Sequence, residues 1–265
     1  MEPETKTITV QVNGISFGYN GKNTLEGIDL VCSRGEFIGL IGPNGSGKTT
    51  LLRCINGVLK PKVGTIIVEG KNIDKMKIKE IARVCANVPT DAAEDLTLTV
   101  HEFVFLGRYP YVSGMWWESK DDEEIVDKAI ATFKLEHLVD RKLNELSSGE
   151  QARVLLAKAV VQRPQVMLVD EPSAHLDLRY KLEVMEELRS LARSGITVIT
   201  ASHDLNLMSK FCDRVLMISQ GKIVSFGNPV DVMTEENIRD VYGVEVTMFR
   251  DGDEIYAIPK RSLRQ

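Results

Sequence analysis

Gly42-Pro43-Asn44-Gly45-Ser46-Gly47-Lys48-Thr49 is the stretch that decides how this chain reads. It matches G-x-x-x-x-G-K-[ST], a loop that wraps phosphates, and its flanks are the ones such a loop requires. The apolar run Phe37-Ile38-Gly39-Leu40-Ile41 suits a buried parallel strand, and Thr50-Leu51-Leu52-Arg53-Cys54-Ile55 suits the first turns of a helix. The glycines let backbone N–H groups turn inward around an anion, while the helix N-terminus adds partial positive charge at the same point. The Lys48 ammonium is expected to reach the β- and γ-phosphates, and the Thr49 hydroxyl to ligate a bridging Mg²⁺. Mg-ATP or Mg-GTP is the implied ligand, with Gly42 to Thr50 as its candidate contacts.

The 265 residues, 43% of them hydrophobic, are enough for a substantial core in one large domain or two small ones. A net charge of −5 argues against a chain that wraps nucleic acid. Lys71, Lys75, Lys77 and Lys79 read as a solvated face, and Asp121 to Glu124, after Ser119, as the acidic opening of a helix. Cys32, Cys54, Cys85 and Cys212 are too dispersed for a zinc site or a disulfide framework, so buried reduced thiols are expected. The start Met1-Glu2-Pro3-Glu4-Thr5 lacks a signal pattern, and no run of 18 apolar residues occurs, so the chain is expected neither to cross a membrane nor to be exported.

Residues 7 to 19 alternate, with Ile8, Val10, Val12, Ile15, Phe17 and Tyr19 on one side, as in half-buried strands. Gly64 to Gly70 adds a short strand, giving a small antiparallel sheet beside the phosphate loop. From 76 to 163 the pattern is mostly helical. Val166–Val169 and Ile196–Ala201 then form strands about a helix marked by Leu178, Leu182, Met185, Leu188 and Ala192. Strand, helix, strand implies a parallel sheet carrying a helical insertion.

Asp170 and Glu171 end a buried strand, where ligand sites of open α/β sheets collect. Asp170 suits the Mg²⁺ shell, and Glu171 suits a general base that polarises an attacking water. The alternative is a helix N-cap and its neighbour. His203 follows the next strand and lies at the same edge, in reach of a γ-phosphate or as a hydrogen-bonded structural residue. Leu146-Ser147-Ser148-Gly149-Glu150-Gln151 contains a capping box in Ser147 and Glu150, and a helix start so built is also a second phosphate grip.

Taken together these motifs resemble the ATP-binding subunit of an ABC transporter, over residues 6 to about 227. The resemblance implies a P-loop NTPase core of the RecA-like type, with an N-terminal antiparallel β subdomain and an inserted α-helical subdomain. The catalytic core would comprise 1–90 and 159–227, the insertion 91–158 and a short appendage 228–265, all within a single domain. It implies that Tyr19 stacks on adenine, that residues 166–171 carry the metal-binding Asp170 and catalytic Glu171, and that His203 and Lys48 complete the catalytic set. Asp177 falls in the His175-Leu176-Asp177 loop that accompanies the nucleotide. Two subunits would pair head to tail, so that Ser147, Ser148, Gly149 and Glu150 serve ATP bound to the opposite subunit. Gly107-Arg108-Tyr109-Pro110, Glu171 to Asp177 and His203 to Leu207 resemble a narrower group, the ATPases of iron-siderophore, haem or cobalamin importers. That likeness implies a permease dimer, an extracytoplasmic substrate-binding protein, a place at the cytoplasmic face of the membrane, and no nucleic acid. The competing reading is a soluble ABC ATPase of iron–sulfur cluster assembly.

Two positions depart from the family pattern. Ser148 replaces a glycine and keeps a small side chain. Thr90, in Ala86-Asn87-Val88-Pro89-Thr90, stands where the family has a glutamine that touches Mg²⁺, and the expected remedies are a water bridge from Thr90 or substitution by Asp91. Tyr109, Tyr111, Trp116 and Trp117 either face the permease or pack inside the insertion. The tail is expected to form a helix over 230–242 and a hairpin at Asp251-Gly252, covering the core.

Overall fold

Apolar residues on both faces of every central strand place a sheet in the middle of the molecule, and the computed structural model shows one with six strands. It describes residues 7–19, 21–90, 97–112, 120–252 and 254–263. Asp91, Trp116 and Trp117, and the N-terminal Met1 to Thr5, lie outside the described residues.

β1 (Ile8–Tyr19) and β2 (Lys22–Ser33) form an antiparallel ribbon, followed by β3 (Phe37–Ile41), the phosphate loop and α1 (Lys48–Ile55). β4 (Val63–Val68) and β5 (Lys71–Asn72) join the ribbon to make a four-stranded sheet in the order β2-β1-β4-β5. Ile8 and Tyr19 are exposed at the ends of β1, whereas Val10, Val12, Ile15 and Phe17 are all buried. Strict alternation would not place Val12 and Ile15 on one face. The register shifts between them, where Gly14 adopts φ 54°, and this bulge resets the parity.

α2 (Ile78–Val84) leads into β6 (Cys85–Val88), and then comes the helical segment: α3 (Val100–Phe105), a 3₁₀ stretch Leu106–Tyr111, α4 (Lys120–Thr132) and α5 (Ser148–Val161). The chain re-enters the sheet at β7 (Val166–Asp170), then runs α6 (Leu178–Arg193), β8 (Thr197–Ala201), α7 (Leu205–Phe211), β9 (Arg214–Ser219) and β10 (Lys222–Gly227). The large sheet has the order β10-β9-β3-β8-β7-β6, parallel except for β10 at one edge. Met167 and Val169 face one apolar cluster with α5 and α6, and Val166 and Leu168 face the other with α1 and the β1 sheet. On α6, Met185, Leu188 and Ala192 are buried, while Leu178 is 74% exposed because it lies in the helix's first turn, beyond the core.

After β10, α8 (Pro229–Val232), α9 (Glu235–Tyr242), β11 (Val244–Asp251) and β12 (Glu254–Ser262) form the helical and hairpin tail. The hairpin packs on α7: the Asn206 side chain accepts from the Ala257 N–H at 2.8 Å and donates to its carbonyl at 3.5 Å, and Lys210 pairs with Glu254 at 3.1 Å. Cys32, Cys54, Cys85 and Cys212 are all buried and free. No described helix is long and apolar enough to cross a membrane.

Candidate active site

β3, β8 and β7 are adjacent, so the loops after them open at one edge of the sheet. Backbone bonds lock those ends together. The Ser202 N–H donates to Leu40 O at 3.1 Å and the Glu171 N–H to Ala201 O at 2.9 Å. The Gly221 N–H, in the β9–β10 turn, donates to Ser46 O at 3.0 Å and braces the phosphate loop from outside. Gly42 must be glycine: its φ is 151°, and a Cβ there would sit 2.1 Å from Ile218 O. Gly47, at φ 112°, starts α1 without a side-chain cap, leaving its first N–H groups for an anion.

Lys48 is buried and curls back, its Nζ donating to Gly42 O at 2.7 Å and Pro43 O at 3.2 Å. Burial pushes its ammonium below the ordinary lysine range, against the opposing pull of Glu171 and Asp170. Thr49 and Thr50 follow in the first turn of α1.

Asp170 ends β7 with its Oδ1 buried and without a hydrogen-bond partner, and Ser46 Oγ is in the same condition. An orphaned carboxylate oxygen beside a phosphate loop fits a hard divalent cation, and oxygen donors from Asp170 and Thr49 suit Mg²⁺. Glu171 takes φ 49°, a left-handed conformation rare outside glycine. Its Oε2 lies 2.8 Å from Nδ1 of His203. His203 is thus paired with Glu171, its own side chain 65% exposed.

Thr90 makes a direct contact with the end of β7. Its hydroxyl donates to the Asp170 carbonyl at 3.1 Å, so the short side chain clasps the backbone of the candidate metal-binding residue.

Tyr19 closes β1 with its ring 46% exposed and set edge-on to Phe17 at 4.9 Å, open to a stacking partner. Ser147, Ser148, Gly149 and Glu150 sit apart, at the start of α5. Ser147 and Glu150 form the reciprocal capping box, and hydrogen bonds from Ser147 hold the Glu150 carboxyl below its usual range. The Ser148 hydroxyl donates to His175 O at 3.4 Å, and a Cβ at Gly149 would sit 2.7 Å from the Tyr180 ring. Asp177 caps α6 by accepting from the Tyr180 N–H at 3.0 Å. Among the described residues these helix starts make no hydrogen bond to the phosphate loop of their own chain.

The motif reading missed Tyr242. Its hydroxyl, from the last turn of α9, is buried, and burial pushes the phenol above its ordinary range. A tyrosine closing an amphipathic helix carries no sequence signal for that position.

The ABC transporter family model matches residues 25–174. A petrobactin import ATP-binding protein, FpuC of Bacillus anthracis, is 37% identical over 95% of this chain and 93% of its own length. A hemin import ATP-binding protein, HmuV of Bordetella avium, is 36% identical over 90% of this chain and 93% of its own. Among solved structures, cbiO1 from Clostridium perfringens, part of the ABC transporter complex cbiONQ, superposes with a TM-score of 0.77. It is 31% identical, covering 89% of this chain and 94% of that one. With the phosphate loop, the two acids and His203 gathered on one edge of a parallel sheet, and the family model covering more than half its length, this chain belongs to the ABC transporter family, as an ATP-binding, ATP-hydrolysing protein.

Proposed function

We propose that this chain powers the import of an iron-siderophore, haem or cobalamin-type metal complex, as the ATPase subunit of a transporter with a separate permease. The observation that carries the reading is the split site. One sheet edge holds a phosphate loop, two acids and His203, while a second capped helix start at Ser147 lies elsewhere in the same chain. A single nucleotide does not use both, and two copies placed head to tail satisfy both. The import names of the relatives favour a transporter over the cluster-assembly alternative.

In this reading Gly42 to Thr50 seat the triphosphate, Lys48 leaves its carbonyl partners for the β- and γ-phosphates, and Tyr19 stacks on adenine. Asp170 and Thr49 would hold Mg²⁺, which when bound would neutralise phosphate charge. Glu171 polarises the attacking water, and His203, bound to Glu171 at 2.8 Å, orients that carboxylate and contacts the γ-phosphate. Ser147, Ser148, Gly149 and Glu150, with Asp177, serve the nucleotide held by the other copy.

The membrane partner would dock at the cytoplasmic side, on the groove between α2, the end of α1 and α5. That groove encloses about 450 Å³, lined by Val58, Ile78, Ile81, Ala82, Lys158 and Gln162. Val58 and Ile78 are 68% and 86% exposed, apolar surface that a helix end of an integral membrane protein would cover. Tyr109 is exposed near the groove, with the Lys79 ammonium 5.5 Å from its ring centre, whereas Tyr111 is turned inward to donate to Gln162 O at 2.9 Å.

Affinity capture of the full chain from its own cells in mild detergent, followed by mass spectrometry, tests the proposal. Recovery of a polytopic permease with the wild type, lost with Ile78→Asp, is the expected result. Recovery of soluble iron–sulfur scaffold proteins without a membrane protein would overturn it.

A further inference from the structure

The groove between α2, the end of α1 and α5 is lined by apolar residues, side-chain amides and one charged residue, Lys158. Its amides are occupied within the chain. Gln162 donates to the carbonyls of Ala82 and Cys85, and Asn56 donates to the Asn87 side chain at 3.5 Å. Among the described residues no Asp or Glu lines the groove.

Lys158 differs from these neighbours. Among the described residues its ammonium bonds to no carboxylate and no carbonyl, and it lies over the ring of Phe103 on α3, 4.5 Å from the ring centre. An aromatic face replaces part of the hydration that burial removes, and leaves the charge uncompensated. Burial accordingly pushes the ammonium below the ordinary lysine range, with no neighbouring charge acting against it. A cation in the last turn of a helix often serves that helix's own end carbonyls, but Lys158 turns towards α3 instead.

Packing alone would be served as well by methionine, which fills the same length without a charge to desolvate. The charge therefore bears on what covers the groove. An occupant offering only apolar surface would bury the ammonium unpaired, whereas a carboxylate at that point would complete it with charge-assisted hydrogen bonds.

We infer that the permease segment seated in this groove carries an Asp or Glu whose carboxylate pairs with Lys158, while its apolar side chains cover Val58, Ile78 and Ile81. The inference rests on the proposed docking of a membrane partner here. α5 gives the pair a consequence. It holds Lys158 in its last turn and begins at Ser148, in the segment assigned to the opposite copy's ATP, so one helix joins the membrane contact to the nucleotide grip.

The test uses the complex recovered with the full-length chain in mild detergent. A water-soluble carbodiimide, which joins amines to carboxylates in direct contact, is applied and the product mapped by peptide mass spectrometry. A cross-link from Lys158 to an Asp or Glu of the permease is the expected result. Lys158→Arg should keep most of the permease recovery and give no cross-link at this position. Lys158→Met should lower recovery by about tenfold, the scale of a lost buried charge pair, with the thermal midpoint of the chain unchanged or raised. A recovered permease without the Lys158 cross-link, or recovery unchanged in Lys158→Met, would overturn the pair and leave the docking reading standing. A midpoint that falls in Lys158→Met would overturn it in favour of a structural cation. Absence of any polytopic membrane protein with the wild type would overturn the docking reading and this inference with it.

Discussion

The Thr90 hydroxyl, 3.1 Å from the Asp170 carbonyl, is the clearest case of one atom changing how a site works. It joins the end of the strand feeding the helical segment to the end of the strand carrying the candidate metal ligand. Thr90→Val keeps the shape and removes the bond, and should cost about 1 kcal/mol of stability while slowing ATP turnover. Chemical denaturation beside an ATPase assay checks both. Thr90→Gln should alter turnover as well, because it must break the same bond. Lys48→Ala should abolish productive nucleotide binding, measurable by fluorescent-nucleotide titration, since no other described cation lies in the loop. At this scale the phosphate loop and the paired acids were legible as patterns with a chemical reason, while His203 was singled out by the family resemblance. Thr90 was not legible, since its partner is a backbone carbonyl that no residue pattern encodes.

The helical segment is held by a bond network that its motif does not announce. Arg108, in the stretch resembling importer ATPases, is 5% exposed. It donates to Asp122 at 2.7 Å and to Val161 O at 2.6 Å, with the Tyr111 ring stacked 4.0 Å from its guanidinium. The stretch thus ties α4 to the end of α5. Arg108→Leu leaves Asp122 without this cation and should cost about 3 kcal/mol, read from the denaturation midpoint. Gly107 belongs to the same tie, since a Cβ there would sit 2.2 Å from Lys158 O. The capping box at the start of α5 makes a smaller contribution, and Ser147→Ala should cost about 1 kcal/mol. Because the bonds from Ser147 hold the Glu150 carboxyl below its ordinary range, their contribution is present above that range. It is lost as pH falls through the depressed value. Period-two and period-3.6 patterns gave the strands and helices, and they failed at β1, where a single extra residue at Gly14 resets the alternation.

Across the whole molecule, the alternation of Val166 to Val169 between two apolar clusters fixes a doubly covered sheet, and each fully buried Leu or Ile contributes about 2 kcal/mol to it. The same enclosure protects the thiols. Burial pushes Cys54 and Cys85 up to about 12, and Cys32 and Cys212 are raised further, so no thiol should react with an alkylating reagent until the chain unfolds. Mass spectrometry after timed labelling reads this directly. The parallel core, the small antiparallel sheet and the tail of helix and hairpin were legible from pattern and turn chemistry. The attachment of that tail to α7 was not, because it depends on the long-range meeting of Asn206 with Ala257. The head-to-tail pairing of two copies is the central claim, since it alone gives the Ser147 helix start a nucleotide to hold. Size-exclusion chromatography with light scattering on Glu171→Gln, with and without Mg-ATP, tests it most directly. A dimer that forms with Mg-ATP and is lost when Ser148 and Gly149 are replaced by bulky residues is the predicted result, and a protein that stays monomeric with ATP bound would contradict it.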